Sequence, residues 1–356
     1  MHVLRFRPDA LRALGARVFA ALGTPEDIAD LVAGSLVDAN LAGHDSHGVL
    51  RIPQYVRQAR AGEIVVAARP RVLQARHATA LLSGEWGFGQ PAGQAAIAEA
   101  VQRCREYGIG AAGLVRCNHL GRVGEYVERA AASGCAAVVL VGGLGRAAVP
   151  HGGREPVLGT NPIAIGFPVE GEPPALLDFA TTAVAAGKIM AARAARKPLP
   201  PGCIVDGQGR PSTDPEDYFN GGALLPFAGH KGYSLSVLIE LLGQALTGGD
   251  RLGQTADERH RHRLSGALFC AIDAGVFRPS DEARAAARRV VDRLRSVPPA
   301  PGVDRVLTPG EPEAEARRAR AAAGIEVAED TWDAIVAAAE TAGLSPRDLP
   351  HPVATT

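Results

Sequence analysis

An α/β fold, a sheet carrying helices on its face, is what this 356-residue chain predicts. Between Pro70 and Thr182 short strand-like runs alternate with segments of helical period, the order that builds such a sheet. The run 136–141 is apolar throughout, as expected of a strand covered on both faces. Hydrophobic residues make up 46% of the chain and aromatics only 4%, so aliphatic side chains must fill the core. Equal numbers of basic and acidic residues, 38 of each, leave no overall field to draw nucleic acid or an anionic membrane. Five cysteines without a CxxC pair argue against a disulfide framework and for a reducing cytoplasm. The chain shows no apolar signal core and no run of 18 apolar residues, so neither secretion nor membrane spanning is expected.

Residues 8–20 and 25–42 read as helices, the second with Thr24 as N-cap, Pro25 at its first position and Gly43 as its stop. The stretch His44-Asp45-Ser46-His47-Gly48-Val49-Leu50-Arg51 follows. A third helix is expected from Val49 to about Gly62, on which His47 and Arg51 would share a face four residues apart. That would point a proton carrier and an anion clamp the same way. The plainer alternative is a polar loop whose Asp45 or Ser46 caps the helix. Pro70 marks a domain boundary, after which 71–74 and 79–83 read as strands.

Helix 90–107 closes at Gly108, and strand 109–116 delivers Asn118-His119-Leu120-Gly121. Gly108-Ile109-Gly110-Ala111-Ala112-Gly113 spells GxGxxG, but helix precedes it and strand follows, the reverse of a dinucleotide fingerprint. Helix 122–133 and strand 136–141 come next. Gly142-Gly143-Leu144-Gly145 does follow a strand, yet Pro150 and Gly152-Gly153 arrive too soon for the required helix. Both Rossmann readings are therefore rejected. Gly159-Thr160-Asn161-Pro162 turns into strand 163–167, and Leu176 to Thr182 carries a strand into helix 183–195. Residues 197–229, rich in Pro, Gly and Asp, read as a long functional loop. Gly229-His230-Lys231-Gly232 then opens a strong amphipathic helix, and a lysine at a helix start doubles the positive potential offered to an anion. Asp257 to Arg263, with His260 and His262, reads as an exposed charged turn. Strand 268–273, helices 280–296, 311–323 and 330–342, and an extended, mobile tail from Ser345 complete the chain.

Taken as chemistry, His47, His119, Arg51 and Lys231 suit proton transfer with anion binding, as a dehydrogenase of 2-oxo or 2-hydroxy acids requires. Two other classes stay open. His44, Asp45 and His47 could ligate a metal in a hydrolase, or the anion sites could belong to a binding protein without turnover.

Seven motifs occur in order: Asp45-Ser46-His47-Gly48 with Arg51, Asn118-His119-Leu120-Gly121, Gly159-Thr160-Asn161-Pro162, Asp178-Phe179-Ala180-Thr181, Gly187-Lys188, Gly229-His230-Lys231-Gly232 and Pro309-Gly310-Glu311. Together they resemble the type-2 malate/L-lactate dehydrogenase family over roughly residues 5–345. The resemblance implies a mixed-sheet, non-Rossmann NAD(P)-binding domain over 71–249, and a helical domain from both chain ends, 1–70 plus 250–345, with 346–356 a mobile tail. It also implies a homodimer, NAD or NADP as cofactor, and a small 2-oxo or 2-hydroxy acid as substrate. By the same resemblance Ser46 and His47 match the relay and proton donor, Arg51 and Thr160 substrate contacts, and His119 the proton acceptor of one branch. His119, Asp178, Ala180, Thr181, Lys231, Gly232, Gly310 and Glu311 match cofactor-lining segments. No resident metal is implied. The family's piperideine-type imine reductases, an alternative activity, carry an acid where this chain has Lys188.

Overall fold

The computed structural model describes residues 3–143, 145–194, 196–249 and 266–353. The expected turn at Asp257–Arg263 lies outside them. Strand β1 (Val3–Phe6) leads to α1 (Pro8–Ala21), α2 (Glu26–Leu41) and α3 (Ile52–Arg60). Pro25, not Thr24, occupies the N-cap of α2; Thr24 has no capping bond there, and its Oγ1 is buried without a partner among the described residues. Strands β2 (Arg71–Arg76) and β3 (Thr79–Ser83) precede α4 (Gly89–Tyr107), whose left-handed C-cap is Gly108, the residue type that takes φ +79° without strain.

Then come β4 (Ile109–Val115), α5 (Gly124–Ala132), β5 (Cys135–Gly142), β6 (Ile163–Phe167), β7 (Ala175–Phe179) and α6 (Ala186–Ala194). The expected long loop 197–229 is instead a small folded unit: β8 (Ile204–Val205), β9 (Pro211–Ser212) and β10 (Ala223–Leu224) form a three-stranded sheet, with α7 (Pro215–Phe219) between them. Its own apolar cluster, with Ile204, Leu199 and Leu224 buried against Ile189 of α6, explains why so polar a segment holds a shape. Helix α8 (His230–Glu240) runs into a π-turn at Leu241–Ala245. Strand β11 (Gly266–Asp273), α9 (Ser280–Arg295), α10 (Glu311–Ala323), β12 (Ile325–Ala328) and α11 (Glu329–Ala342) follow.

The main sheet has seven strands in the order β2-β3-β4-β11-β5-β6-β7. Only β3 and β4 pair in parallel; the other neighbours are antiparallel, so the sheet is mixed, as expected, and lacks a Rossmann strand order. Strand β11, which the expected boundaries assigned to the helical part, lies at the centre of this sheet: Phe269 faces Ala112 of β4 and Val139 of β5. Helices α4 and α5 cover the sheet through a core that includes Ala96, Ile97, Tyr126 and Phe269. A second core joins both chain ends, with Leu14, Val32, Ile52 and Tyr55 against Ile325, Val327 and Ile335. The antiparallel pairing of β1 with β12 closes it. The tail is less free than expected as far as Val353, whose N–H donates to Arg5 O at 2.7 Å, while Ser345 and Asp348 form a capping box. No helix among the described residues is long and apolar enough to cross a membrane.

Candidate active site

The expected single helix carrying both His47 and Arg51 does not form. Asp45–His47 and Val49–Arg51 are separate 3₁₀ turns, with Gly48 extended between them at φ −88°, ψ −153°. A Cβ on Gly48 would lie 2.1 Å from Asn40 Oδ1, so only glycine fits against that buried amide. The Asn40 Oδ1 that makes this approach accepts the Val49 N–H at 2.8 Å, which anchors the second turn on α2. Arg51 is instead tied to the turn that carries His47: its Nε donates to Ser46 O at 2.7 Å, and its Nη1 to Gln54 Oε1 at 2.6 Å.

The two histidines left as rivals by the sequence are neighbours. Their rings stack with centroids 5.4 Å apart and planes 15° from parallel. Ser46 Oγ is 2.9 Å from His47 Nδ1. On the other ring, Gln90 Nε2 donates to Tyr55 Oη at 2.8 Å, and Tyr55 Oη lies 2.7 Å from His119 Nδ1. With the phenol oxygen accepting from Gln90, its hydrogen is directed at His119 Nδ1, and a neutral His119 then carries its proton on Nε2. Burial pushes the Tyr55 hydroxyl up to about 12, which keeps that hydrogen in place.

His119 is set by backbone packing. Asn118 Nδ2 donates to Trp86 O and Gly87 O at 2.7 and 2.9 Å, and Gly89 lets α4 approach so closely that a Cβ there would lie 2.1 Å from His119 O. Burial, then the charges of Arg51, His44 and Arg122, lower the His47 pKa to about 3. Burial, Arg51 and His47 hold His119 well below the usual histidine range. Both rings are therefore neutral at pH 7.

Asp178, on β7, accepts the Gly124 N–H at 2.7 Å, and burial raises its pKa. Thr160 O accepts both the N–H and the Oγ1 of Thr181, at 2.9 and 3.0 Å, and the Phe227 N–H donates to Thr181 O at 3.1 Å. Ala180 lies between Asp178 and this knot. Gly232 closes the chain of contacts, since a Cβ there would lie 2.2 Å from Phe227 O. Lys231 is exposed in the first turn of α8, with no carboxylate within ion-pairing distance among the described residues.

Gly310 and Glu311 stand apart from the histidines, beside β7, where Leu176 N–H donates to Pro309 O at 3.2 Å. The Glu311 carboxylate is engaged by Thr308 N–H, Arg305 and Arg295 at 3.0, 2.8 and 3.3 Å, which leaves it stabilising its own helix start.

The candidate metal ligands do not converge. Asp45 is held bidentately by Arg320 and also accepts from Asn40 Nδ2, His44 Nε2 faces Glu313 Oε1 at 3.5 Å, and His47 faces Ser46. No cluster of three or more ligating side chains is gathered among the described residues. Tyr55, Gln90, Arg122 and Arg320 carried no recognisable motif. Arg122 is almost fully buried and pairs with Glu128, while its Nε and Nη1 have no hydrogen-bond partner among the described residues. Tyr55 alone left a sequence signal, an aromatic on the apolar face of α3.

A family model described as malate/L-lactate dehydrogenase matches residues 6–336. The chain is 37% identical over 331 residues to an L-lactate dehydrogenase of Cupriavidus necator, covering 90% of this chain and 93% of that one. It is 34% identical to hydroxycarboxylate dehydrogenase B of Escherichia coli, with 97% and 96% covered. Among solved structures, sulfolactate dehydrogenase of Methanocaldococcus jannaschii superposes with a TM-score of 0.86 at 31% identity, covering 98% of this chain and 99% of that one. The Δ1-piperideine-2-carboxylate reductase of Pseudomonas syringae gives 0.83 at 31%, with 94% and 99% covered. With a mixed sheet outside the Rossmann pattern and these matches over nearly its whole length, the chain belongs to the malate/L-lactate dehydrogenase family.

Proposed function

We propose that this protein interconverts a 2-hydroxy acid and a 2-oxo acid with NAD or NADP, with His47 exchanging the proton and Arg51 binding the substrate carboxylate. The observation that carries the reading is the pair of stacked, neutral imidazoles, each with a different partner on Nδ1, beside a guanidinium tied to the same turn. With Nδ1–H donating to Ser46 Oγ, the Nε2 of His47 is a free base that can take the hydroxyl proton of a 2-hydroxy acid. His119, protonated on Nε2, donates a hydrogen bond to the same C2 oxygen. Arg51 keeps Nη2 free of any partner among the described residues, and a guanidinium edge suits a carboxylate. Reduction of the 2-oxo acid runs the proton the other way, from His47 to the oxygen at C2, and water must deliver that proton because the resting imidazole is neutral.

A nicotinamide dinucleotide fits the remaining residues. Lys231 at a helix start with no side-chain cap suits its diphosphate. The bare Gly124, where a Cβ would meet Arg122 Nη1 at 2.6 Å and Asp178 Oδ2 at 2.9 Å, and Gly187 beside Ser46 keep that side of the site narrow. The cofactor supplies the hydride at C2; the chain's task is orientation and the proton. Exposed leucines at 238, 241 and 246, more than half or about half open, support a homodimer, and light scattering at micromolar concentration returning a dimer checks it.

Turnover of NADH and NADPH with a panel of 2-oxo acids and one cyclic imine 2-carboxylate tests the activity and its nearest alternative. His47→Asn lowers kcat roughly 10²- to 10⁴-fold and removes the pH dependence. An active His47→Asn together with an inactive His119→Asn moves the proton role to His119.

A further inference from the structure

The turn bearing Ser46 and His47 is held locally by Asn40 and Arg51, and it is also bolted from the far end of the chain. Arg320, on α10, spans to it with three bonds: Nη1 to Asn40 O at 2.5 Å and to Asp45 Oδ1 at 2.6 Å, and Nη2 to Asp45 Oδ2 at 3.0 Å. Asn40, nearly fully buried on α2, completes the frame: its Nδ2 donates to Asp45 Oδ1 at 2.6 Å, and its Oδ1 holds the Val49 N–H. Ser46 and His47 sit between the two clamped points, Asp45 and Val49. From the same face of α10, two turns earlier, Glu313 reaches His44 at 3.5 Å, the residue on the other side of Asp45. Among the described residues the His47 ring has one side-chain hydrogen bond, to its neighbour Ser46, and it stacks on His119, so its direction depends on the backbone of the turn that carries it.

We propose that Arg320 is a positioning residue for proton transfer, acting through Asp45 to hold the backbone that aims His47. A flat guanidinium can satisfy two carboxylate oxygens and a peptide carbonyl at once, which fixes the turn in orientation as well as in place. A shift of about 1 Å in a proton carrier is enough to cost up to roughly 10²-fold in rate. The proposal rests on the proton role given to His47, and the test separates the two.

Four variants of the full chain are assayed at saturating substrate and cofactor below their melting temperatures: Arg320→Met, Arg320→Lys, His47→Asn and the His47→Asn/Arg320→Met double. Arg320→Met lowers kcat roughly 10- to 100-fold, while the KM for the 2-oxo acid and the Kd for NADH, read by fluorescence titration, stay within about twofold. Arg320→Lys recovers part of the rate, because one ammonium keeps the charge and loses the fork. In the His47→Asn background, Arg320→Met has no further effect on kcat. An unchanged kcat in Arg320→Met overturns the proposal, and so does a further loss in the double variant, which would mean that Arg320 acts elsewhere than through His47. A fully active His47→Asn, by contrast, overturns the proton role itself.

Discussion

The histidine cluster and the lysine-bearing start of α8 are built on opposite plans. Around His47 and His119 one nitrogen of each ring and the supporting turn are tied, by side chains near and far in the chain: Ser46 to His47, Tyr55 with Gln90 behind it to His119, Asn40 and Arg320 to the turn before Gly48. Around Lys231 the backbone does the work. Thr160, Thr181, Phe227 and Gly232 lock main chain to main chain, and the lysine side chain is left in solvent. A group that moves a proton has to be aimed, so its freedom is removed in advance. In the role proposed for Lys231, a group that meets a diphosphate needs only charge and reach, and it can keep its rotamers until the ligand comes.

That contrast gives measurements in descending size. The largest concerns acid stability. Both imidazoles are neutral in the folded protein, with His47 lowered to about 3 and His119 well below its usual value, whereas unfolded histidine titrates near 6.5. The unfolded chain therefore binds protons that the native state refuses. Their contribution to stability is intact above pH 7 and is lost progressively as pH falls from about 6.5 towards 3, by at most about 2 kcal/mol per histidine between pH 7 and pH 5. Urea melts at the two pH values check this, and His47→Asn shrinks the difference. Acid melts that are the same with and without His47 would mean that its ring is hydrated rather than sealed.

Next in size is Arg51→Lys. The ammonium retains a charge but cannot hold both Ser46 O and a substrate carboxylate, so kcat/KM for 2-oxo acids falls roughly 10²-fold while NADH affinity is preserved. Stopped-flow binding alongside steady-state kinetics separates the two parameters. The smallest effect belongs to the loosely held region: Lys231→Ala weakens NADH binding several-fold, about 1 kcal/mol, with no change in melting temperature, and the loss narrows as salt is raised. A large drop in stability instead would show that Lys231 is as firmly built in as the histidines.

The sequence made the regular parts readable where signals were local. Gly108 ended α4 as expected, the apolar run at 136–141 became a central part of β5, and the order of helix and strand around Gly108–Gly113 was enough to reject a dinucleotide loop. Four residues singled out from the sequence, Ser46, His47, Arg51 and His119, do come together. The sequence did not show their geometry. Gly48 interrupts the expected helix because of Asn40, eight residues back, and nothing in the 44–51 stretch reports that packing. The Tyr55–His119 and Arg320–Asp45 bonds join residues 64 and 275 apart. The same holds for the four-residue pairing of β1 with β12, which neither strand suggests alone. In 197–229, Pro and Gly signalled turns correctly and concealed that the turns connect two-residue strands.

The place of β11 bears on how the protein is made. Strands β4 and β5 are synthesised well before it, yet neither touches the other in the finished sheet; each pairs with β11 along one edge. Until the ribosome has passed Asp273, both therefore hold a row of unsatisfied N–H and C=O groups, apolar side chains included, in the middle of the nascent domain. The sheet cannot grow outward from its centre as the chain emerges. Its completion waits for a late strand that pairs with both, a step dominated by non-local contacts, and edges left open until then are templates for other chains. Yield on overexpression should for that reason depend on holdase chaperones and on translation speed through the segment before Gly266 more than on the stability of the finished enzyme.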